Sequence, residues 1–271
     1  MKISSSKFMM IVMLLPVFTI SAESNDRAFY DAVRAEASGD LQRAISIYEN
    51  IAKVNQSANL HSNLANLYFK LEDYGRSILH FRKSLIINPD NRECKTNLAF
   101  ALEMSGAEPK DPTASNPAFS STTQGLWAGF FSLIFWGGAF LVAMLLPKRM
   151  HTSSVLAYGI LWMGVLGILG YGWFQSRSLS NLLKREIIVI PYAGEQAGNL
   201  IALRRFPGEG SDHNTKISQG TSLFLDLENQ GGIKKHQGPD GTNWYLARTH
   251  NGADKGWLRE REFGKILNDE N

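Results

Sequence analysis

Residues 61–89 read HSNLANLYFKLEDYGRSILHFRKSLIINP. His61, Leu64, Ala65 and Tyr68 recur at steps of three and four, and after Glu72-Asp73 so do Ser77, Phe81 and Ser84. That spacing predicts two helices joined by a tight turn, with large and small side chains alternating so that the helices interlock. Asn88-Pro89-Asp90 stops the second helix, because proline cannot continue it. The arrangement recurs about 34 residues earlier, through Ala28, Ala32 and Ala35, then Ala44, Tyr48 and Ile51, with Gly39-Asp40 as the turn. A further first helix comes next at Lys95, Leu98, Ala99 and Leu102 and ends at Gly106-Ala107-Glu108-Pro109. Residues 23–108 therefore read as about two and a half helical pairs. Each pair buries its apolar face only against a neighbour, so the last helix is expected to act as a cap.

On these positions the segment resembles the tetratricopeptide repeat family. The middle unit fits best; the outer two lack the aromatic at the first position and the glycine after the leucine. The resemblance implies a groove, lined by the first helices, that binds peptides or protein partners. Asn59, Asn63, Asn66 and Lys70, with Ser62 beside them and Asn97 on the third first-helix, are the candidate groove residues. Asn63 and Asn97 hold equivalent repeat positions. An asparagine amide both donates and accepts, which suits a bound peptide backbone, and Lys70 suits a carboxylate. The alternative is that these asparagines tie the helices together or face water. Cys94, near a helix start, is expected to be buried and inert.

Two later stretches carry no charge, Leu126 to Leu146 and Val155 to Phe174. Each is long enough to cross a bilayer as a helix. Between them residues 147–154 hold Pro147, Lys148 and Arg149, a turn with two cations. The expectation is a transmembrane hairpin with a cytoplasmic loop. Residues 1–22 resemble a secretory signal, with Lys2 and Lys7 before an apolar stretch and Ile20-Ser21-Ala22 as a cleavage site; an uncleaved anchor is the alternative. Either one exports the helical pairs. Arg177, Lys184 and Arg185 then lie outside, against the positive-inside tendency, and the signal decides the orientation. Trp127, Tyr171 and Trp173 fall at one boundary, as interfacial aromatics do. Residues 109–125, rich in Pro, Ser and Thr, read as a flexible linker.

Beyond Lys184-Arg185 the sequence turns to short β-type runs: Ile187 to Pro191, Leu200 to Phe206, Ser222 to Leu227, Asn243 to Thr249 and Gly256 to Arg259. Pro207-Gly208, Gly231-Gly232, Pro239-Asp240-Gly241 and Asn251-Gly252 separate them, and residues 250–253 should turn a hairpin. Leu203-Arg204-Arg205-Phe206-Pro207, then Gly220, Asn243-Trp244-Tyr245 and Gly256-Trp257-Leu258 resemble the bacterial SH3-like domain over residues 186–268. That resemblance implies an all-β barrel that binds peptide or cell wall, with Phe206, Trp244, Tyr245 and Trp257 as the candidate ligand face; Trp257 alone also reads as core.

Composition narrows the function. One cysteine and six scattered histidines exclude a multi-cysteine zinc motif and leave no catalytic or metal set. A net charge of +3 gives no case for nucleic acid. No enzyme activity and no cofactor are expected. The fold class is a multidomain membrane protein: an all-α repeat array, a two-helix hairpin and an all-β barrel. In this order the segments resemble BatE-type proteins of the bacterial aerotolerance (Bat) operon. That implies an adaptor in the inner membrane, multi-pass, with both soluble parts periplasmic. Its implied partners are envelope proteins, some carrying von Willebrand factor A domains. Binding of peptidoglycan through the barrel is the alternative function.

Overall fold

The computed structural model describes residues 26–108, 124–145, 152–192, 200–229 and 231–267. The expected signal segment, most of the linker and most of the loop between the charge-free stretches lie outside these residues.

The N-terminal region is all helix. Helix α1 spans residues 26–37, followed by α2 (Leu41–Val54), α3 (Ala58–Lys70), α4 (Tyr74–Ile87) and α5 (Arg92–Ser105). Helices α2 to α5 each start for a chemical reason. The side chains of Asp40, Ser57, Asp73 and Asn91 accept hydrogen bonds from the third backbone amide beyond them, satisfying an amide that the helix leaves open. Two of the interhelix turns need a left-handed residue. Gly39 supplies it at φ +82° between α1 and α2, and Glu72 supplies it at φ +61° between α3 and α4. Large and small residues interlock in the core, where Tyr48, Leu60, Leu64 and Leu67 pack with Ala32 and Ala44.

Helices α6 (Gln124–Leu145) and α7 (Thr152–Arg185) form an antiparallel pair. Both are long and apolar enough to cross a membrane. They carry large apolar side chains outward, among them Leu133, Trp136, Phe140 and Ile160. Inward, each helix sets a tryptophan into a glycine of the other. Trp127 of α6 packs on Gly172, where a Cβ would come within 2.7 Å of the ring, and Trp162 of α7 packs on Gly138. The Trp162 indole N–H donates to the Ile134 carbonyl at 3.0 Å. Helix α7 outruns its charge-free stretch. It continues through the polar residues 175–185 and leads directly into the first strand, because Ser176, Ser180 and Leu183 find buried places there.

The C-terminal region is one antiparallel sheet: β1 (Glu186–Val189), β2 (Leu200–Arg204), β3 (His213–Ser218), β4 (Ser222–Leu225), β5 (Lys235–Gln237), β6 (Asn243–Arg248), β7 (Lys255–Arg259) and β8 (Phe263–Lys265). The strand order is β3-β2-β7-β6-β4-β1-β8, with β5 added to β6. The expected barrel is thus not closed, since β3 and β8 end the path without pairing. Ile217 of β3 and Phe263 of β8 nevertheless share one core with Ile187, Leu203, Leu223, Leu225 and Leu258, so the sheet curls around it. The β6–β7 hairpin turns where expected, with Arg248 opposite Lys255 and Gly252 at φ +70°. Strands β3, β5 and β8 have no counterpart among the β-type runs of the sequence. Two are polar, β5 is exposed throughout, and β8 is three residues long.

The helices and the sheet are packed together. Helix α5 is the last helix of the paired series among the described residues and packs on α4. Its Leu98, Ala101 and Leu102 form one cluster with Ile78 and Leu79 of α4, Leu179 and Leu183 of α7, Ile188 of β1 and Ile266. The sheet packs chiefly on α4, through β1 and β8, and the end of α5 reaches it at Ser105 and Gly106.

Candidate functional site

Two faces of the helical region differ in character. The face built from α3 and α5 is a shallow pocket of about 140 Å³. Asn59, Ser62, Asn63 and Asn66 line it from α3, and Glu93, Cys94 and Asn97 from α5 with its capping residue Asn91, and Phe81 of α4 is the floor. Steps of three and four along α3 put its four residues on one side of the helix. Asn97 Nδ2 donates to Asn66 Oδ1 and Asn63 Nδ2 donates to the Tyr48 hydroxyl, both at the long distance of 3.4 Å. An amide has two donors and two acceptor sites, so most of their capacity stays open. Beneath them Ser62 and Ser84 hydroxyls meet at 2.9 Å, and Ser84 donates to the Ala58 carbonyl at 2.8 Å. The Cys94 thiol, 2% exposed, donates to the Phe81 carbonyl, and burial pushes its pKa up.

Four of the five candidate groove residues come together. Lys70 does not: its ammonium pairs with Glu36 of α1 at 2.8 Å, outside the pocket. That pair links one repeat to the next, and its carboxylate takes the place expected for a partner's. One turn beyond the Asn66–Asn97 contact, the rings of Phe69 and Phe100 meet at 5.5 Å. Phe100 is the repeat equivalent of Asn66.

The opposite face is the one the sheet covers. Arg82 of α4 donates to Glu186 of β1 at 2.8 Å, with the Arg82 side chain 7% exposed and that of Glu186 fully buried. Ser222 also donates to Glu186. The Gly75 amide, in the first turn of α4, donates to the Gln219 side chain at 3.1 Å, so a residue of the sheet region satisfies an open helix-end amide. Gly75 has to be small, because a Cβ there would lie 2.8 Å from the Val189 carbonyl oxygen. Gly220 packs on Ile78 and Gly264 on Leu79 in the same way. No sequence signal marks this contact: Arg82 and Glu186 are 104 residues apart.

The four aromatics expected to form a barrel ligand face are dispersed. Trp244 and Tyr245 are neighbours on one strand and point to opposite sides of the sheet. Both are buried. The guanidinium groups of Arg204 and Arg259 lie over the Trp244 ring, at 5.1 and 5.4 Å. Arg204 holds Glu262 through two bonds of 2.9 and 3.0 Å. Tyr245 meets Phe263 edge-on at 5.3 Å within the core. That leaves Phe206, 65% exposed, and the half-buried Trp257, which faces His236 edge-on at 6.4 Å. Among the described residues no group of three or more His, Cys, Asp or Glu is placed to hold a metal ion.

The helical pairs carry the likeness to known proteins. Residues 58–91 match the tetratricopeptide repeat family, so α3, α4 and the turn into α5 form such a repeat. The chain is also similar to the photosystem I assembly protein Ycf3 of Synechococcus sp. (strain CC9605). The two are 31% identical over 103 residues, which is 36% of this chain and 58% of that protein. This chain therefore spans little more than half the length of that relative. Repeats of this kind suggest a protein-interaction role, and the family's members are typically scaffolds rather than catalysts.

Proposed function

We propose that this chain is a non-catalytic, membrane-anchored adaptor of a bacterial envelope complex, holding a partner segment in the α3–α5 groove. The observation that carries the reading is the open row of Asn59, Asn63, Asn66 and Asn97 on the face that the sheet leaves free. Those amides match the alternating donors and acceptors of an extended peptide. The likeness to BatE-type proteins supports membrane or exported partners, von Willebrand factor A domain proteins among them. On this reading residues 186–268 are an SH3-like domain that supports the array.

The packing of the helical region on the sheet supports the topology of a hairpin in the inner membrane. Regions that touch lie on the same side of a bilayer, and the two apolar helices between them give the even number of crossings that this needs. The signal-like start makes that side the periplasmic one. A photo-crosslinking residue at Asn59 of the full-length protein tests the reading. A discrete adduct that disappears in the N63A/N97A double variant is expected. An adduct pattern unchanged by that variant contradicts it. Peptidoglycan binding is a second reading, favoured by the exposure of Phe206. Sedimentation of the full-length protein with insoluble peptidoglycan, lost in Phe206→Ala, checks it.

A further inference from the structure

Between α3 and α4, on the side away from the groove pocket, two imidazoles face each other inside the array. His61 Nδ1 lies 3.1 Å from His80 Nδ1. A single proton between these atoms makes a good hydrogen bond: one ring donates and the other accepts. A second proton turns the bond into two N–H groups pointing at each other. His61 is 2% exposed, and its Nε2 is buried without a protein partner, so a proton there also lacks an acceptor.

Among the described residues, no carboxylate hydrogen-bonds either imidazole. Tyr68 of α3 stacks on the His80 ring at 5.5 Å and 10°. From α2, Glu49 faces the cluster, but its carboxylate accepts the Tyr68 hydroxyl at 2.5 Å. From α4, Arg76 and Lys83 bring positive charge, and Asp73 at the helix start is taken by Arg76. The pair therefore sits among cations, with both nearby carboxylates already bonded elsewhere.

We propose that the His61–His80 pair is an acid-sensitive joint, at which protonation parts α3 from α4. Burial, then the neighbouring Lys83, lowers the pKa of His61 to about 4; burial, His61, Lys83 and Arg76 hold His80 well below its ordinary value. Both groups take up protons more readily in the opened state, which fixes the direction of the pH effect. Their stabilising effect is full above the ordinary histidine value and is lost as pH falls through 6.5 towards 4. For His61 alone, going from pH 7.5 to 5 raises the opening equilibrium roughly thirtyfold. Helix α3 also carries Asn59, Ser62, Asn63 and Asn66, so the joint ties acidity to the groove; this last step rests on the groove's proposed role in partner binding.

Amide hydrogen exchange on the full-length protein in detergent tests the joint, with protection corrected for intrinsic rates. Protection over residues 58–87 should fall roughly thirtyfold or more between pH 7.5 and 5, while the β6–β7 hairpin changes little. His80→Phe keeps the stack on Tyr68 and should shrink the ratio between the two pH values, whatever it does to absolute protection. Histidine C2–H exchange on the unmodified protein gives the titration midpoints directly: that of His61 should lie near 4 and that of His80 well below the ordinary histidine value. Midpoints near 6.5, or an equal loss of protection in helices and sheet, would overturn the proposal.

Discussion

The two faces of the helical region use opposite chemistry. The groove face carries short polar side chains joined by long bonds, Asn66 to Asn97 and Asn63 to Tyr48. The covered face carries Ile78, Leu79, a buried ion pair and glycines with no room for a Cβ. A face meant to stay in water keeps hydrogen-bonding capacity spare; a face meant for permanent packing removes it or satisfies it. The residues that hold this protein together are thereby distinct from those whose hydrogen-bonding capacity stays open.

The sharpest way to break that separation is at the ion pair. Arg82→Ala leaves Glu186 buried without its cation and should cost about 3–5 kcal/mol. Denaturant unfolding of the purified protein measures it, and the loss should appear in helices and sheet together. Next comes Gly75→Ala. In a helix this change ordinarily stabilises by about 0.5–1 kcal/mol. Here the new methyl meets the Val189 carbonyl, so we expect a net loss of about 1–3 kcal/mol. A smaller effect of opposite sign is expected at Glu72, which holds a left-handed turn without being glycine. Glu72→Gly should stabilise by about 1 kcal/mol, read as a rise in melting temperature. The groove should respond least in stability. Asn63→Ala and Asn97→Ala should each cost under about 1 kcal/mol, while the Asn59 crosslink is lost when the two are combined.

The helical pairs are legible in the sequence because their information is local. The spacing around Leu64, Tyr68 and Phe81 fixes the interlocking faces, and Asp40, Ser57, Asp73 and Asn91 mark the starts within one turn. The two apolar helices are equally plain, since a long stretch without charge has few soluble uses. In the sheet, strands with buried side chains such as Ser222–Leu225 and Asn243–Arg248 stand out. The strands β3 and β5 do not, because hydrogen bonding to a neighbour defines them and hydrophobicity does not. Of the groove, the asparagines follow from the repeat positions, but the capture of Lys70 by Glu36 depends on how α1 leans on α3. Trp244 and Tyr245 resemble a ligand face in sequence because aromatic type alone does not tell an exposed side chain from one under two guanidinium groups. The contact between helices and sheet is invisible there: glycine at 75, 220 and 264 reads as a turn or a weak helix position until the other surface is seen.

Adaptor and hairpin alike require the helical region and the sheet to form one body on one side of the membrane. A protease site placed between residues 112 and 120 of the full-length protein, cleaved after solubilisation, tests this directly. The N-terminal fragment should co-elute with the remainder on gel filtration and leave it in the Arg82→Ala variant. Release of that fragment from the unaltered protein as soon as the chain is cut would contradict the single body.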